Sequence, residues 1–210
     1  MTNSTTHEVS WAQFSRLIAT PSPARPALVR QMQAQRAEAY SPARDFYRGL
    51  RKSMVDGRRL GTDRSVLAAA AVNAHEKKRS TYQRLGATWL ALLEGDLARG
   101  AWLDVRPARW QQSALTVKVS PLLGLEYPND RREVVYVHFA AAPRLSPDLI
   151  RAALRVMQLV GDETARNASP VLIDLQRGQI HRPSPVEPDY DAMLAAEAAG
   201  LSFLMEQLAA

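Results

Sequence analysis

Apolar residues recur along this chain with two periods, and the change falls near Gly100. Ahead of it the spacing is helical. In "SWAQFSRLIA" the residues Trp11, Phe14, Leu17 and Ile18 share one face, which predicts a short helix. "TPSPARPALVR" carries three prolines, which remove backbone donors and bias the preceding residues away from helix, and is expected to be a loop. In "SPARDFYRGLRKSMVDGRR" a helix is predicted from Ser41, with Pro42 at its first position, to near Gly57. Phe46, Tyr47, Leu50 and Met54 fall on one face of it, and Arg44, Arg48, Arg51 and Lys52 gather on another. From Ser65 to Glu94 the chain is rich in alanine and leucine and free of proline, which favours one long helix or two shorter ones. Tyr82, Leu85, Trp89 and Leu92 give its second part a core face, and "GDLARG" ends the helical half.

Beyond Gly100 the period drops to two. "ALTVKVS" sets Leu115, Val117 and Val119 against Thr116 and Lys118, and "EVVYVHF" does the same with Val135, Val137 and Phe139. Between these strands, "PLLGLEYPNDRR" supplies the residues of a connection longer than a tight hairpin, and an earlier strand is expected within "AWLDVRPARW". "SPDLIRAALRVMQLVG" predicts a helix with a Ser cap, a Pro in its first turn and Leu149, Ala153, Leu154 and Met157 on one face. "PVLIDLQRGQIHRP" reads as a strand with a Gly turn or a strand pair. "YDAMLAAEAAGLSFLMEQL" ends the chain as an amphipathic helix through Leu194, Ala198, Leu201, Met205 and Leu208. The expected fold class is α+β, or mixed α/β. A basic helical region over residues 1–98 packs on a small three- to four-stranded sheet with two further helices over 99–210, as two parts or one continuous domain.

Composition narrows the function classes. The chain has 210 residues, 46% of them hydrophobic and 23% charged, as a folded protein does. There is no cysteine, which excludes disulfides, thiolate metal sites and a Cys nucleophile and fits a reducing cytoplasm. Neither a charged segment followed by an apolar leader nor a run of about 18 apolar residues occurs, so a cytoplasmic protein without membrane contact is expected. The net charge of +6 is unevenly spread: residues 1–113 carry 18 Lys and Arg against 9 Asp and Glu, and residues 114–210 carry 9 against 12.

No motif names a reaction. His7, His75, His138 and His181 are scattered without metal-ligand spacing, so no metal site is expected of them, and His138 reads as a partly buried packing residue. Walker, dinucleotide-binding and nucleophile-elbow patterns do not occur. The basic residues are the remaining signal: Arg44, Arg48, Arg51, Lys52, Arg58 and Arg59, then Lys77, Lys78 and Arg79, enough cations to neutralise several phosphates. The competing explanation is a solvated basic face, with Asp45 taking some of its charge through Arg48.

The element order of a helix, three strands, a helix and another strand over roughly residues 85–180 resembles the core of the restriction-endonuclease-like, PD-(D/E)XK, nucleases. That resemblance implies magnesium held by strand-end carboxylates, for which Glu126 and Asp130 in "GLEYPND" are the candidates, with Lys118 as a displaced cation. Tyr136, Val137 and His138 stand where the family's Glu-x-Lys strand would lie. "YSPARDFYRGLR" and "SPLLGLEYPNDRREVVYVHF" are similar to phrases of an uncharacterised bacterial family that joins a basic helical region to a small α/β core, a likeness that implies organisation and no activity. The resulting expectation is a non-catalytic protein, without cofactor, that contacts DNA or RNA backbone through the basic helix. The alternatives are a divergent magnesium-dependent nuclease-like enzyme and a scaffold that binds a second copy or another protein.

Overall fold

The computed structural model describes residues 7–37, 45–141, 144–185 and 189–208. The architecture is α+β. Among the described residues a short strand and helix come first: β1 (His7–Ser10) runs into α1 (Trp11–Ala19). Ser10 caps α1 reciprocally with Gln13, the Gln13 backbone N–H donating to Ser10 Oγ at 3.2 Å and the Ser10 N–H to Gln13 Oε1 at 2.9 Å. The proline segment expected to be a loop is one only briefly. It passes through a single 3₁₀ turn at Ser22–Ala24 into α2 (Arg25–Ala37), where Pro26 sits in the first turn and its missing N–H costs no intrahelical bond.

Three helices follow: α3 (Arg48–Leu60), α4 (Asp63–Asn73) and α5 (Glu76–Glu94). The alanine-rich stretch thus forms two helices, broken at Ala74 and His75, with the His75 imidazole accepting the Lys77 N–H to cap the second. The predicted start of the basic helix at Ser41 and Pro42 lies outside the described residues, but Asp45 to Tyr47 form a turn and α3 begins only at Arg48. Its end is also later than expected. Gly57 sits inside the helix, and Gly61, at φ 66°, is the left-handed residue that stops it.

The remainder holds β2 (Ala101–Leu103), β3 (Ala108–Gln112), β4 (Leu115–Val119), β5 (Leu123–Glu126), β6 (Arg132–His138), α6 (Pro147–Leu159), α7 (Gly161–Thr164), β7 (Ala168–Asp174), β8 (Gln179–His181) and α8 (Tyr190–Gln207). In place of one small sheet there are two. The smaller has the order β1-β4-β3, with β1 parallel to β4; the larger has the order β2-β5-β6-β7-β8. β5 lies inside what was expected to be a connection. Its four residues, Leu-Gly-Leu-Glu, are too short and too rich in turn-forming neighbours to show alternation, yet they pair antiparallel with both β2 and β6. β6 and β7 are parallel, and α6 lies in the crossover between them.

The larger sheet is buried on both faces. Leu123, Leu125, Val135, Val171 and Ile173 meet Leu50, Met54, Leu85 and Trp89 from α3 and α5. Val134, Tyr136 and Leu172 meet α6, α8, α1 and the inner face of the smaller sheet. Each core therefore draws side chains from both halves of the chain. Full burial of a Leu or Met side chain such as Leu50 or Met54 stabilises the fold by roughly 1.5–3 kcal/mol each, which is what holds α3 to the sheet.

α3 and α4 cross at Gly57, where an added Cβ would stand 2.8 Å from the Asp63 Cα. Gly57→Ala should therefore destabilise the protein by about 1–3 kcal/mol, because a backbone clash outweighs the helix propensity gained. A urea titration reads this, and a raised midpoint would show that the two helices can separate without loss.

Candidate functional site

The carboxyl end of β6, the central strand of the larger sheet, opens into a groove of about 760 Å³. Val137, His138, Phe139 and Ala140 line it along the strand exit, and Ser120 to Leu122 from the link between β4 and β5. One side is the outer face of α3, through Arg48, Arg51, Lys52 and Val55; another is the start of α1, through Trp11 and Ala12. A second cavity of about 230 Å³ shares Trp11, Ala12, His138 and Ala140 with the first and continues along α1 past Ser15 and Arg16. His138 thus stands where the two meet, which makes it a groove residue rather than a packing residue alone. Among the described residues, no carboxylate lines either cavity.

The strand exit is held by the turn between β7 and β8. The Leu175 N–H donates to the His138 carbonyl at 3.1 Å, Gln176 Nε2 to the Phe139 carbonyl at 2.6 Å, and Arg177 Nη2 to the Ala141 carbonyl at 3.2 Å. Gln176 Oε1 in turn accepts from Arg84 of α5 at 2.6 Å. Next to His138 in the parallel register is Asp174, a buried carboxylate whose Oδ2 accepts from Arg177 at 2.7 Å. Burial holds the His181 imidazole below its ordinary pKa, and the charge of Asp174 opposes that shift.

The predicted cations divide into groups. Arg48, Arg51 and Lys52 line the groove, while Arg44 lies outside the described residues. Arg48 is exposed; Arg51 pairs with Asp45, not the Arg48 pairing expected, and its guanidinium also lies 5.9 Å from the Phe139 ring centre; Lys52 pairs with Asp56. Arg59 is exposed and continues their stripe one helical repeat further on. Arg58 does not belong to the stripe. Its side chain is only 18% exposed, donating to Asp63 at 2.5 Å and to the Gly100 carbonyl at 3.0 Å, so it ties α3 to α4 and to the entry of β2. On α5, Lys77 and Arg79 are exposed, and Lys78 stands 5.3 Å above the Phe46 ring, which packs edge-on to Tyr47. That aromatic contact brings the basic start of α5 beside the start of α3.

The carboxylates considered for a metal are not assembled into a site. Glu126 ends β5 and accepts from Arg132 across the hairpin at 2.7 Å. Asp130 is an exposed turn residue at φ 60°, a conformation Asp tolerates better than most side chains, and Lys118 is on the other sheet. None of the three lines the groove, and among the described residues no group of three or more His, Asp or Glu is placed to hold a metal ion. Trp11, Tyr47 and the exit of β6 are the groove residues that sequence reasoning missed as a site. The signal available was the parallel pair of strands around α6, since open α/β sheets bind ligands beyond the carboxyl ends of their strands.

Beside Glu126 lies a buried ionic network. Glu133, 2% exposed, accepts from Tyr127 Oη at 2.8 Å and from Arg182 Nε at 2.9 Å. Burial, and then the hydrogen bond to Glu133, push the Tyr127 hydroxyl up to about 12. A raised pKa contributes stability that is fully present below about pH 10 and lost as the pH rises through about 12. Tyr127→Phe should cost about 1.5–3 kcal/mol at neutral pH, the range for a hydrogen bond to a charged group, and should flatten the alkaline loss of stability. Denaturation midpoints from pH 7 to pH 12 measure both, and parallel curves for the two proteins would contradict the assignment.

No helix among the described residues is long and apolar enough to cross a membrane. No protein-family model matches the chain, and no curated protein matches it in sequence, so its own geometry is what bears on function.

Proposed function

We propose that the protein is a non-catalytic binder of nucleic-acid backbone, with Arg48, Arg51, Lys52 and Arg59 of α3 as its phosphate contacts and Lys77, Lys78 and Arg79 of α5 as an auxiliary cluster. One observation carries this reading: three cations of one helix line a groove to which no carboxylate among the described residues contributes. Arginine suits such a role because its planar fork donates paired hydrogen bonds to phosphate. Asp45 and Asp56 pair with Arg51 and Lys52, so those side chains are held in place at the cost of part of their charge. The binding reading stands ahead of metal-dependent cleavage because Glu126, Asp130 and Lys118 are occupied in a hairpin, a turn and a separate sheet. A cytoplasmic setting belongs to the same proposal and suits the cysteine-free chain.

A gel-shift titration tests it. A surface neutralising about four phosphates should lose roughly 150-fold in affinity between about 50 and about 200 mM salt, and Arg48→Glu with Lys52→Glu should flatten that dependence by about 2 in slope. Salt-independent retention, or retention indifferent to the charge reversals, would refute the proposal. Loss of substrate with magnesium but not with chelator would restore the nuclease alternative.

A second reading rests on α8. Its outer face leaves Met193 at 43% and Phe203 at 64% exposure, with the small residues Ala196 and Gly200 between them, a self-complementary stripe for a second copy in an antiparallel arrangement. If that face pairs, light scattering should give twice the 23.3 kDa chain mass, and Phe203→Glu should return it to the single-chain value. A single-chain mass at the outset removes this reading.

A further inference from the structure

Resting on the backbone-binding proposal, we infer that the groove at the exit of β6 takes a single nucleic-acid strand, with its phosphates on α3 and its bases against Trp11 and Tyr47. A convex basic helix would serve a duplex equally well, because a duplex shows its phosphates outward and keeps its bases stacked inside. Here the cations are set along a concavity whose other surfaces are aromatic and apolar apart from Ser120 and His138. The aromatic and apolar part does nothing for a phosphate. It is complementary to the π-face of an unstacked base, and the pairing of a cationic wall with aromatic platforms is how single strands are held without sequence preference.

The aromatic residues are positioned rather than loose. Tyr47 is the residue that enters α3; its ring is tilted by 30° against Phe139 with centres 5.3 Å apart and packs edge-on to Phe46 at 5.0 Å. It remains partly exposed and lines the groove. Trp11, also partly exposed, begins α1 and lines both cavities. Arg51 joins the two chemistries, since it lines the groove and lies over the Phe139 ring that supports Tyr47.

A second, independent observation lies in the smaller cavity. Ser15 is 2% exposed, and its hydroxyl has no hydrogen-bond partner among the described residues although it lines that cavity. A buried hydroxyl without a partner is costly, and rotation of the Ser15 side chain toward the cavity would let it meet the polar edge of a base lodged beside Trp11. Arg16, the next residue, lines the same cavity and offers a further phosphate contact.

The experiment measures anisotropy with a fluorescein-labelled strand of about a dozen thymidines, the matching uridine strand and a duplex of equal length, at one salt concentration. The wild-type chain is compared with Tyr47→Leu and Trp11→Leu, which keep apolar bulk and remove the π-face, and with Arg48→Glu. Thermal unfolding of each variant establishes that it is folded, and quenching of wild-type tryptophan fluorescence by the unlabelled strand, reduced in Trp11→Phe, gives a readout that does not depend on the leucine variants. The expected result is tighter retention of at least one single strand than of the duplex, with each aromatic variant weakening the single strand by roughly 5- to 150-fold and leaving the duplex unchanged. The thymidine and uridine arms identify which backbone is preferred. Equal retention of strand and duplex, or a strand preference that survives both aromatic variants with no change in quenching, overturns the inference, while weakened retention of every probe in Arg48→Glu upholds the backbone reading. No retention of any probe overturns both.

Discussion

The middle of β6, Glu133 to Tyr136, is buried on both faces, and the rest of the molecule is arranged around that constraint. A central strand covered on both sides must bury Val134 and Tyr136 against one set of helices and Val135 against another, so two cores grow outward from seven residues. The same burial makes any polar group on the strand expensive. Glu133 is accommodated because Tyr127 and Arg182 reach it from the adjoining turn and from the residue after β8, and the sheet's two flanks are joined through one carboxylate. At the opposite end the strand leaves the sheet, its carbonyls taken up by Leu175, Gln176 and Arg177, and the space beside that exit is the groove.

Much of this fold is legible in the sequence where one element carries a full period and its own caps. α6 shows Ser146, Pro147 and Asp148 ahead of an unbroken stripe, and α1, α5, α8, β4 and β7 have comparably local signals. What is illegible depends on partners far away. β1 is four residues whose only reason to be extended is β4, and β5 is four residues framed by proline and aspartate that a reader takes for a loop. α2 defeats the proline rule because Pro26 falls in a first turn, where it is harmless. β6 reads as alternating although Glu133 to Tyr136 are buried on both faces, so the existence of a second core is not apparent from its pattern.

The candidate site is legible in chemistry and not in geometry. The stripe of Arg48, Arg51 and Lys52 follows from helical spacing, but nothing in spacing separates Arg58, which shares the run of cations and is spent on Asp63 and Gly100. Nor can spacing show that Trp11 and His138, well over a hundred positions apart, border one cavity. The acidic candidates fail for a related reason: a strand-end carboxylate and a turn aspartate look alike in sequence whether they face a metal or, as Glu126 does, a neighbouring arginine.

The parallel pairing of β1 with β4 has a consequence for the order in which the molecule comes into being. His7 meets Leu115 across more than a hundred intervening residues, and α1 follows β1 directly. Contacts of such long range are made late, because the chain between them must be ordered first. During synthesis α3 can form its basic face early, but Trp11 has no strand to anchor its helix until β4 is made, and Phe139 is made later still. A nascent chain therefore displays cations before it possesses a groove, and the concavity beside them is completed only when its first and middle segments meet.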